Sequence, residues 1–254
     1  MTAVAPASRT ETFLSVTRPP DGSRVRVEHS TCGGPDRPAI RPVLLSCDER
    51  GATVSLVPEG ALLLAGDAVW LRVEVGPGAS LQLVEPAGTV AYDMRGGRAG
   101  WEVEINLGLG ASLIWHGEPF VAAAGSETTW NTRVLADFGA RFALRETLVL
   151  GRCGEQPGRL RHEVFVGHAD GRPILADGVE VGPGCTAAIL GGCRVMGTVL
   201  VVGAELGISV PTSEVGTRFE IEAGATVFRT LSDDAHRAVE QNIWYAAVAA
   251  VRGV

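Results

Sequence analysis

The sequence predicts a mostly β fold, either an antiparallel, hairpin-rich β-sandwich or a β-helix-like stack of strands, with one C-terminal α-helix. Two observations support this class. Runs of alternating apolar and polar residues recur along most of the chain, and glycine-containing turns separate them. The C-terminal segment instead repeats its apolar residues at helical spacing.

The turn Gly-x-Gly-Ala recurs between the alternating runs. It occurs as Gly76-Pro77-Gly78-Ala79, as Gly108-Leu109-Gly110-Ala111 and, with Cys in place of Ala, as Gly182-Pro183-Gly184-Cys185. The second glycine supplies the positive φ that a tight reversal needs, and the small residue after it lets the next strand start close to its neighbour. Looser copies at residues 137–140 and 222–225 bring the predicted hairpins to five.

The flanking runs alternate as half-buried strands do. In residues 67–75 the apolar side chains fall on one face, whereas Arg72 and Glu74 fall on the other. Residues 101–107 repeat this pattern. The glycine-rich apolar stretch at residues 191–203 predicts a strand that is buried on both faces.

The chain ends in a predicted helix over about residues 233–251. Ser232 offers a hydroxyl N-cap, and two aspartates follow at the positive end of the helix dipole. Small apolar residues then form a stripe suited to close docking, and Trp244 and Tyr245 flank it as candidate partner-binding residues. The alternative is a helix that packs on its own sheet.

Length and composition favour one large domain. The chain has 254 residues, of which 46% are hydrophobic. A chain of this size buries roughly 70–75% of its unfolded surface without help from a disulfide or a metal. We predict a flexible segment over residues 1–22 and a single β domain over residues 23–254.

Charge and hydropathy exclude several classes of partner. The net charge of −7 and the pI near 5.3 argue against nucleic acid, and no basic patch with interleaved aromatic residues occurs. The chain has no signal-peptide pattern and no apolar run of the roughly 20 residues that a membrane span needs. We therefore expect a cytoplasmic protein that does not bind a membrane and whose five cysteines are reduced.

The sequence contains none of the common catalytic motifs, such as the nucleophile elbow, the zinc-protease helix, the phosphate loop or the dinucleotide fingerprint. The five histidines are spread along nearly the whole chain, and each is interpreted as a surface or hydrogen-bonded residue. Four acids are more informative because they stand beside apolar strand residues: Asp67, Glu118, Glu146 and Asp177.

An ionised carboxylate in such a place is costly unless water, a cation or an arginine compensates it. One interpretation of the four acids is therefore that they are turn residues or arginine partners. The other is that they line a polar passage for a hard or borderline cation. The residues by themselves leave both interpretations open.

Several segments together suggest a family. They are residues 58–67 with the Gly-Pro-Gly-Ala turn that follows, 86–92, 146–152, 170–177 and 231–234. In their order and spacing these segments resemble the UreD family of urease accessory proteins, also called UreH, over about residues 40–250. The residues that match family motifs, and that we expect to be structural, are Gly60, Gly66, Tyr92, Gly151 and Arg152.

The chain departs from the family pattern at three places. Glu59 stands where the family has glycine, Val90 where it has lysine, and Trp115-His116 where it has Leu-Pro. These departures indicate a divergent member.

The resemblance implies a non-enzymatic scaffold that binds the accessory protein UreF, and through it the GTPase UreG, and that docks on apo-urease. The accessory complex is expected to be able to form a homodimer. Nickel is expected to pass through the protein transiently, without a fixed metal site or a tightly bound cofactor. Asp67, Glu146 and Asp177 match acidic positions of the family, and Glu118 matches less closely. Spaced carboxylates of this kind bind a divalent ion weakly enough to release it.

Two alternatives stay open. The first is a β-sandwich hydrolase that acts on a sugar with a carboxylate pair, such as Glu102 with Glu104 or Asp67 with Glu146. The aromatic content of 6% argues against a sugar platform. The second is a UreD-like scaffold without a nickel role, which the departures from the family pattern suggest.

Overall fold

The structure, a computed structural model, describes residues 9–33, 37–206, 216–238 and 241–253. These ranges are built mainly of strands, with three helices toward the C-terminus. The elements are β1 (Arg9–Thr17), β2 (Arg26–Cys32), β3 (Ala39–Cys47), β4 (Gly51–Glu59), β5 (Ala68–Val75), β6 (Ser80–Val84), β7 (Thr89–Ala91), β8 (Ala99–Leu107), β9 (Ser112–His116), β10 (Phe120–Ala122), β11 (Glu127–Ala136), β12 (Arg141–Leu150), β13 (Arg159–His168), β14 (Pro173–Val181), α1 (Thr186–Leu190), β15 (Val195–Val202), β16 (Gly216–Ile221), β17 (Ala225–Ser232), α2 (Ala235–Ala238) and α3 (Gln241–Arg252).

The strands form two sheets that pack against each other. Sheet 1 has the strand order β14-β13-β11-β8-β5-β1-β2, and sheet 2 has the order β16-β17-β15-β12-β9-β6-β4-β3, with β7 and β10 beside β12. Within sheet 1, β5, β8, β11 and β13 run parallel, and within sheet 2, β4, β6, β9 and β12 run parallel. Each coil of the chain thus adds one strand to each sheet, which is the arrangement of a β-solenoid. The predicted β-helix-like stack is confirmed.

The Gly-x-Gly-Ala turns form the corners of this solenoid. Residues 76–79 lead from β5 in sheet 1 to β6 in sheet 2, residues 108–111 from β8 to β9, and residues 137–140 from β11 to β12. The predicted hairpins at these three turns are wrong, because each turn sends the chain to the opposite sheet. Residues 182–185 lead into α1, and residues 222–225 join β16 and β17 as an antiparallel hairpin.

Backbone hydrogen bonds join one corner to the next. Gly78 N donates to Leu109 O at 2.9 Å, and Gly110 N donates to Phe138 O at 3.0 Å. Gly110 has a φ of 60°, a conformation that glycine adopts without strain. These corners therefore stack directly on one another, so the neighbouring coils turn at the same place.

The N-terminal segment that was predicted to be flexible contains a strand. Residues 9–17 form β1, which pairs in parallel with β5 and antiparallel with β2. Leu14 and Val16 of this strand are fully buried. The prediction is corrected for these residues, and residues 1–8 lie outside the described ranges.

The apolar core lies between the two sheets. Leu71 and Ile105 enter it from sheet 1, and Leu81, Leu113 and Phe142 enter it from sheet 2, all of them fully buried. Burial of one such side chain contributes about 1.5–3 kcal/mol. The alternation predicted from the sequence thus places one face of each strand in this common core.

The C-terminal helices cover the outer face of sheet 2. Ile243, Ala247 and other residues of α3 pack against β9, β12 and β15, so β15 is buried on both faces as predicted. The predicted single helix is seen as α2 and α3, and residues 239–240 between them lie outside the described ranges. Asp234 caps α2, since its carboxylate accepts a hydrogen bond from His236 N at 2.8 Å, whereas Ser232 Oγ accepts from Asp234 N.

In the described part of the chain, no helix combines the length and the apolar character that a membrane crossing requires.

Gly197 tests the docking of the helices on β15. A Cβ at Gly197 would overlap the carbonyl oxygen of Ala238 at the end of α2. We expect Gly197→Ala to lower the free energy of unfolding by about 1–3 kcal/mol, measured by urea titration, because the helix must move. Gly100→Ala in β8 is the matched control, since its Cβ would have no heavy atom within 4 Å. Equal losses in both variants would contradict this packing.

Candidate functional site: a polar line through the solenoid

Sheet 2 is interrupted beside β12. Residues 85–88 separate β6 from β7, and residues 117–119 separate β9 from β10 in the next coil. β12 passes both interruptions without a break. Because the two loops lie in neighbouring coils, they bring Glu85 and Glu118 together beside Glu146 of β12.

The local sequence explains why the strands stop there. Pro86 and Pro119 have no N–H to donate to a sheet ladder. Gly88 and Gly117 allow close backbone approach, since a Cβ at Gly88 would overlap Pro119 O and one at Gly117 would overlap Arg145 O. The loops are therefore held tightly against their neighbours.

The interruption leads to a first cavity between the sheets. It offers about 10 Å³ for the centre of a water molecule, which is about the space that one water needs. Aromatic rings make up much of its apolar lining, and carboxylates and one arginine make up its polar lining. The lining residues are Glu85, Thr89, Trp101, Trp115, Gly117, Glu118, Phe120, Trp130, Leu144, Arg145 and Glu146.

Glu85 is the carboxylate that the sequence analysis missed. Its Oε1 accepts a hydrogen bond from Trp115 Nε1 at 2.9 Å, and its Oε2 accepts one from Glu118 N at 3.0 Å. Burial, assisted by the charges of Glu118 and Glu146, raises the pKa of Glu85 from 4.5 to about 7, although the two hydrogen bonds oppose the shift. Glu85 follows the apolar strand β6, so the criterion that selected the other acids applies to it as well.

Arg145 holds the outer end of the site. Its Nη2 donates to Gly117 O at 3.1 Å and lies 3.4 Å from Glu118 Oε1. Burial lowers the pKa of Arg145, and Glu118 and Glu85 oppose this effect. The guanidinium also lies over the ring of Trp244, at 5.9 Å from its centroid. The C-terminal helix therefore contacts a residue that lines the outer end of the first cavity.

His116 stands beside the same end. Its Nε2 lies 3.7 Å from Glu118 Oε1, and its ring lies 5.5 Å from that of Trp244. Burial, and then the neighbouring Arg145, lower the pKa of His116, whereas Glu118 opposes the shift. His116 is therefore mainly neutral at pH 7.

Glu146 occupies the middle of the line. It projects between the sheets, flanked along β12 by Leu144 and Leu148, and is only 5% exposed. Its Oε1 lies 3.4 Å from Nε2 of His162 in β13 of the opposite sheet. This contact is not a hydrogen bond, and His162 Nε2 has no hydrogen-bond partner among the described residues.

A second cavity continues on the other side of Glu146. It also offers about 10 Å³ for a water centre, again enough for about one molecule. Asp177 and Arg229 close its far end as an ion pair, and the Asp177 side chain is 29% exposed there. The lining residues are Glu146, His162, Val164, Leu175, Asp177, Thr198, Leu200, Val227 and Arg229.

Three of the four predicted acids thus lie along one line. Glu118, with its side chain 35% exposed, stands at one end, the buried Glu146 lines both cavities, and Asp177 stands at the other end. In the described ranges, however, no group of three or more His, Cys, Asp or Glu side chains is placed to hold a metal ion together. The acids are therefore spaced along the line as separate polar groups.

Asp67 is not part of this line. Its Oδ2 accepts a hydrogen bond from Leu64 N at 2.7 Å, within a turn that holds Leu63 and Gly66 at positive φ. It lines neither of the two cavities. The structure therefore gives Asp67 the role of a turn acid, the other interpretation that the sequence allowed.

The family-motif residues lie mainly in turns. Gly60, Gly66 and Gly151 all have positive φ. Arg152 pairs with Glu155 at 2.6 Å on the surface, and Tyr92 is exposed.

The carboxylate pairs proposed for a hydrolase are not assembled into a cleft. Glu102 and Glu104 lie on the outer face of sheet 1, where Glu102 accepts a hydrogen bond from Asn131 Nδ2 at 2.8 Å and Glu104 lies 3.9 Å from Arg72. Burial is the main cause that raises the pKa of Glu102. Glu146 lies inside the solenoid, apart from the turn that contains Asp67.

The fold and the site together define a β-solenoid protein with a line of carboxylates through its interior. Sequence comparison gives the family. The family model of the UreD urease accessory protein matches residues 14–252, so the chain belongs to the UreD family.

Individual relatives carry the same name. The chain is 44% identical over 172 residues to urease accessory protein UreD 1 of Streptomyces griseus, an alignment that covers 65% of each chain. It is 36% identical over 160 residues to UreD of Streptomyces avermitilis, covering 61% of this chain and 63% of the relative. It is 33% identical over 225 residues to UreD of Frankia casuarinae, covering 78% and 70%. The matches thus span less than two thirds of the length of the two Streptomyces relatives.

The raised pKa of Glu85 predicts a pH-dependent stability. Between the unfolded value of 4.5 and the folded value of about 7, the folded protein binds more protons than the unfolded chain. The free energy of unfolding therefore falls as the pH rises through this range, by about 2–4 kcal/mol from this residue.

We expect Glu85→Gln to remove this part of the pH dependence, because the amide does not ionise. Urea titrations of the parent and the variant at pH 5 and pH 8 measure it. Glu104→Gln on the outer face of sheet 1 is the matched control. If Glu85→Gln keeps the parent's full pH dependence, the assignment to Glu85 is incorrect.

Proposed function

We propose that this chain is a non-enzymatic scaffold in urease maturation that passes nickel toward the urease active site. In this proposal it binds UreF, and through it the GTPase UreG, and docks on apo-urease in the cytoplasm, in an accessory complex able to form a homodimer. Membership of the UreD family supports the maturation role. The observation that carries the nickel role is the line of acids from Glu118 through Glu146 to Asp177, in which Glu146 lines both cavities.

The chemistry of the line suits a transient cation. Each acid of the line offers oxygen ligands to a hard or borderline divalent ion, but too few of them to bind it too tightly for release. A space for about one water is too small for a fully hydrated ion. The carboxylates must therefore replace part of the hydration shell as the ion moves, and Glu146 does so in the least hydrated part of the line.

Arginines oppose entry at both ends. Arg145 pairs with Glu118, and Arg229 pairs with Asp177. A cation that reaches either acid must displace the guanidinium, unless the arginine has already moved away from the acid. Because α3 contacts Arg145 through Trp244, a partner that binds this helix is well placed to open that end.

The helix also offers a surface for such a partner. Tyr245 is 65% exposed, whereas Trp244 is buried against sheet 2. Because the surface of Trp244 is already used inside the chain, the proposal places the partner contact at Tyr245 and not at Trp244. Tyr245 remains the candidate contact for UreF on α3.

Nickel transfer is tested with substitutions inside the line. We expect Glu146→Gln and Asp177→Asn to lower the nickel content of urease several-fold without reducing partner capture, because each replaces a carboxylate of the line with a neutral amide. The chain is co-expressed, tagged, with the urease subunits, UreF and UreG, and captured complexes and urease nickel are quantified. Glu104→Gln on the outer face is the control.

Three other results of this experiment would contradict part or all of the proposal. Normal nickel loading by both variants removes the passage from the proposal. Capture of partners with nickel loading that is independent of the chain indicates a scaffold without a nickel role. No capture at all overturns the maturation role.

A further inference from the structure

We infer that His162 is a nitrogen ligand at the midpoint of the passage, where its Nε2 and Glu146 Oε1 bind the same divalent ion and make the passage prefer nickel to magnesium. This inference rests on the proposed passage and deepens it, because it names the residue that sets the metal preference. The carboxylates alone offer oxygen, which suits magnesium as well.

The first support is an unused polar atom in the interior. His162 is only 6% exposed, and its Nε2 has no hydrogen-bond partner among the described residues. Buried polar atoms without a partner are uncommon because their desolvation is not compensated. The ring lines the second cavity together with Glu146 and Asp177, so this atom lies where a passing ion would be.

The second support is the distance between the two candidate ligand atoms. Nε2 of His162 and Oε1 of Glu146 are 3.4 Å apart. Two donors that each lie about 2.1 Å from one ion are about 3.0 Å apart at a right angle and about 3.4 Å apart at a tetrahedral angle. The pair can therefore hold one ion with little movement of either side chain. The same contact is not a hydrogen bond, which leaves the nitrogen available among the described residues.

The fold holds the imidazole in this position. His162 lies in register with Trp130 of β11, which lies in register with Trp101 of β8. The Trp130 and His162 rings meet edge to face at 4.6 Å, and the Trp101 and Trp130 rings stack at 5.3 Å. This row of rings fixes the direction of the imidazole toward sheet 2, where Glu146 stands.

This pair of ligands favours nickel over magnesium and still lets the ion dissociate. Imidazole is a good ligand for nickel and zinc, whereas magnesium prefers oxygen and releases its water reluctantly. One nitrogen and one carboxylate leave most coordination positions to water. The ion is therefore held more firmly than at Glu118 or Asp177 but is still released.

The experiment uses the chain co-purified with its accessory partners and apo-urease. Urease nickel is measured after loading with NiCl2 in rising concentrations of MgCl2, for the parent, His162→Gln and His162→Phe. The phenylalanine variant keeps the ring contact with Trp130, and UreF capture verifies assembly. We expect the ratio of nickel loaded in excess magnesium to nickel loaded without magnesium to fall several-fold below the parent's ratio in both variants. His168→Gln, at the other end of β13, is the control.

A spectroscopic measurement adds a readout that a structural role would not change. X-ray absorption of Ni²⁺ bound to the complex of this chain with UreF should contain an imidazole contribution that decreases in His162→Gln and is unchanged in His168→Gln. If the magnesium tolerance and the spectrum of the His162 variants equal those of the parent, the inference is overturned. Glu146→Gln separates this from the passage itself, since it should reduce loading at every magnesium concentration. Normal loading by both Glu146→Gln and Asp177→Asn would overturn the passage.

Discussion

The in-register parallel pairing of successive coils is the constraint on which the rest of this structure depends. Stacked corner turns give each coil the same phase, so equivalent positions of neighbouring coils lie side by side. The two loops that interrupt sheet 2 therefore meet, and Glu85 and Glu118 share one cavity. The same register aligns Trp101, Trp130 and His162 into a row of rings. A slip of one residue in any coil would turn these side chains to the opposite face.

The polar line is costly for a solenoid whose interior is otherwise apolar. Glu146 and His162 are removed from water among leucine and tryptophan side chains, where burial of charge opposes folding. Arg145 and Arg229 compensate the acids at the ends, and Glu85 is compensated by a proton up to about pH 7. An apolar core of the same volume would be at least as stable. Stability alone therefore does not account for the polar line.

Sequence reasoning was strongest where a local pattern has one structural outcome. Alternation identified the strands and their buried faces, and helical spacing identified the terminal helix. It failed for the Gly-x-Gly-Ala turns because the same backbone reversal can return a strand to its neighbour or direct it into the opposite sheet. It also missed β1, where polar flanking residues masked a strand whose inner side includes Leu14 and Val16. For the site, it found Glu118, Glu146 and Asp177 but could not separate them from Asp67, which forms a turn.

The sequence by itself determined the strand-rich class, the terminal helix, the acids beside apolar strands and the motifs that point to the UreD family. These features depend on neighbours along the chain, which any sequence displays. Only the tertiary structure decided which strands share a sheet, that Glu146 faces His162 across the core, and that Trp244 is buried while Tyr245 is exposed. Those relations join residues that are distant in sequence. They follow from coil register and sheet packing, which no local pattern encodes.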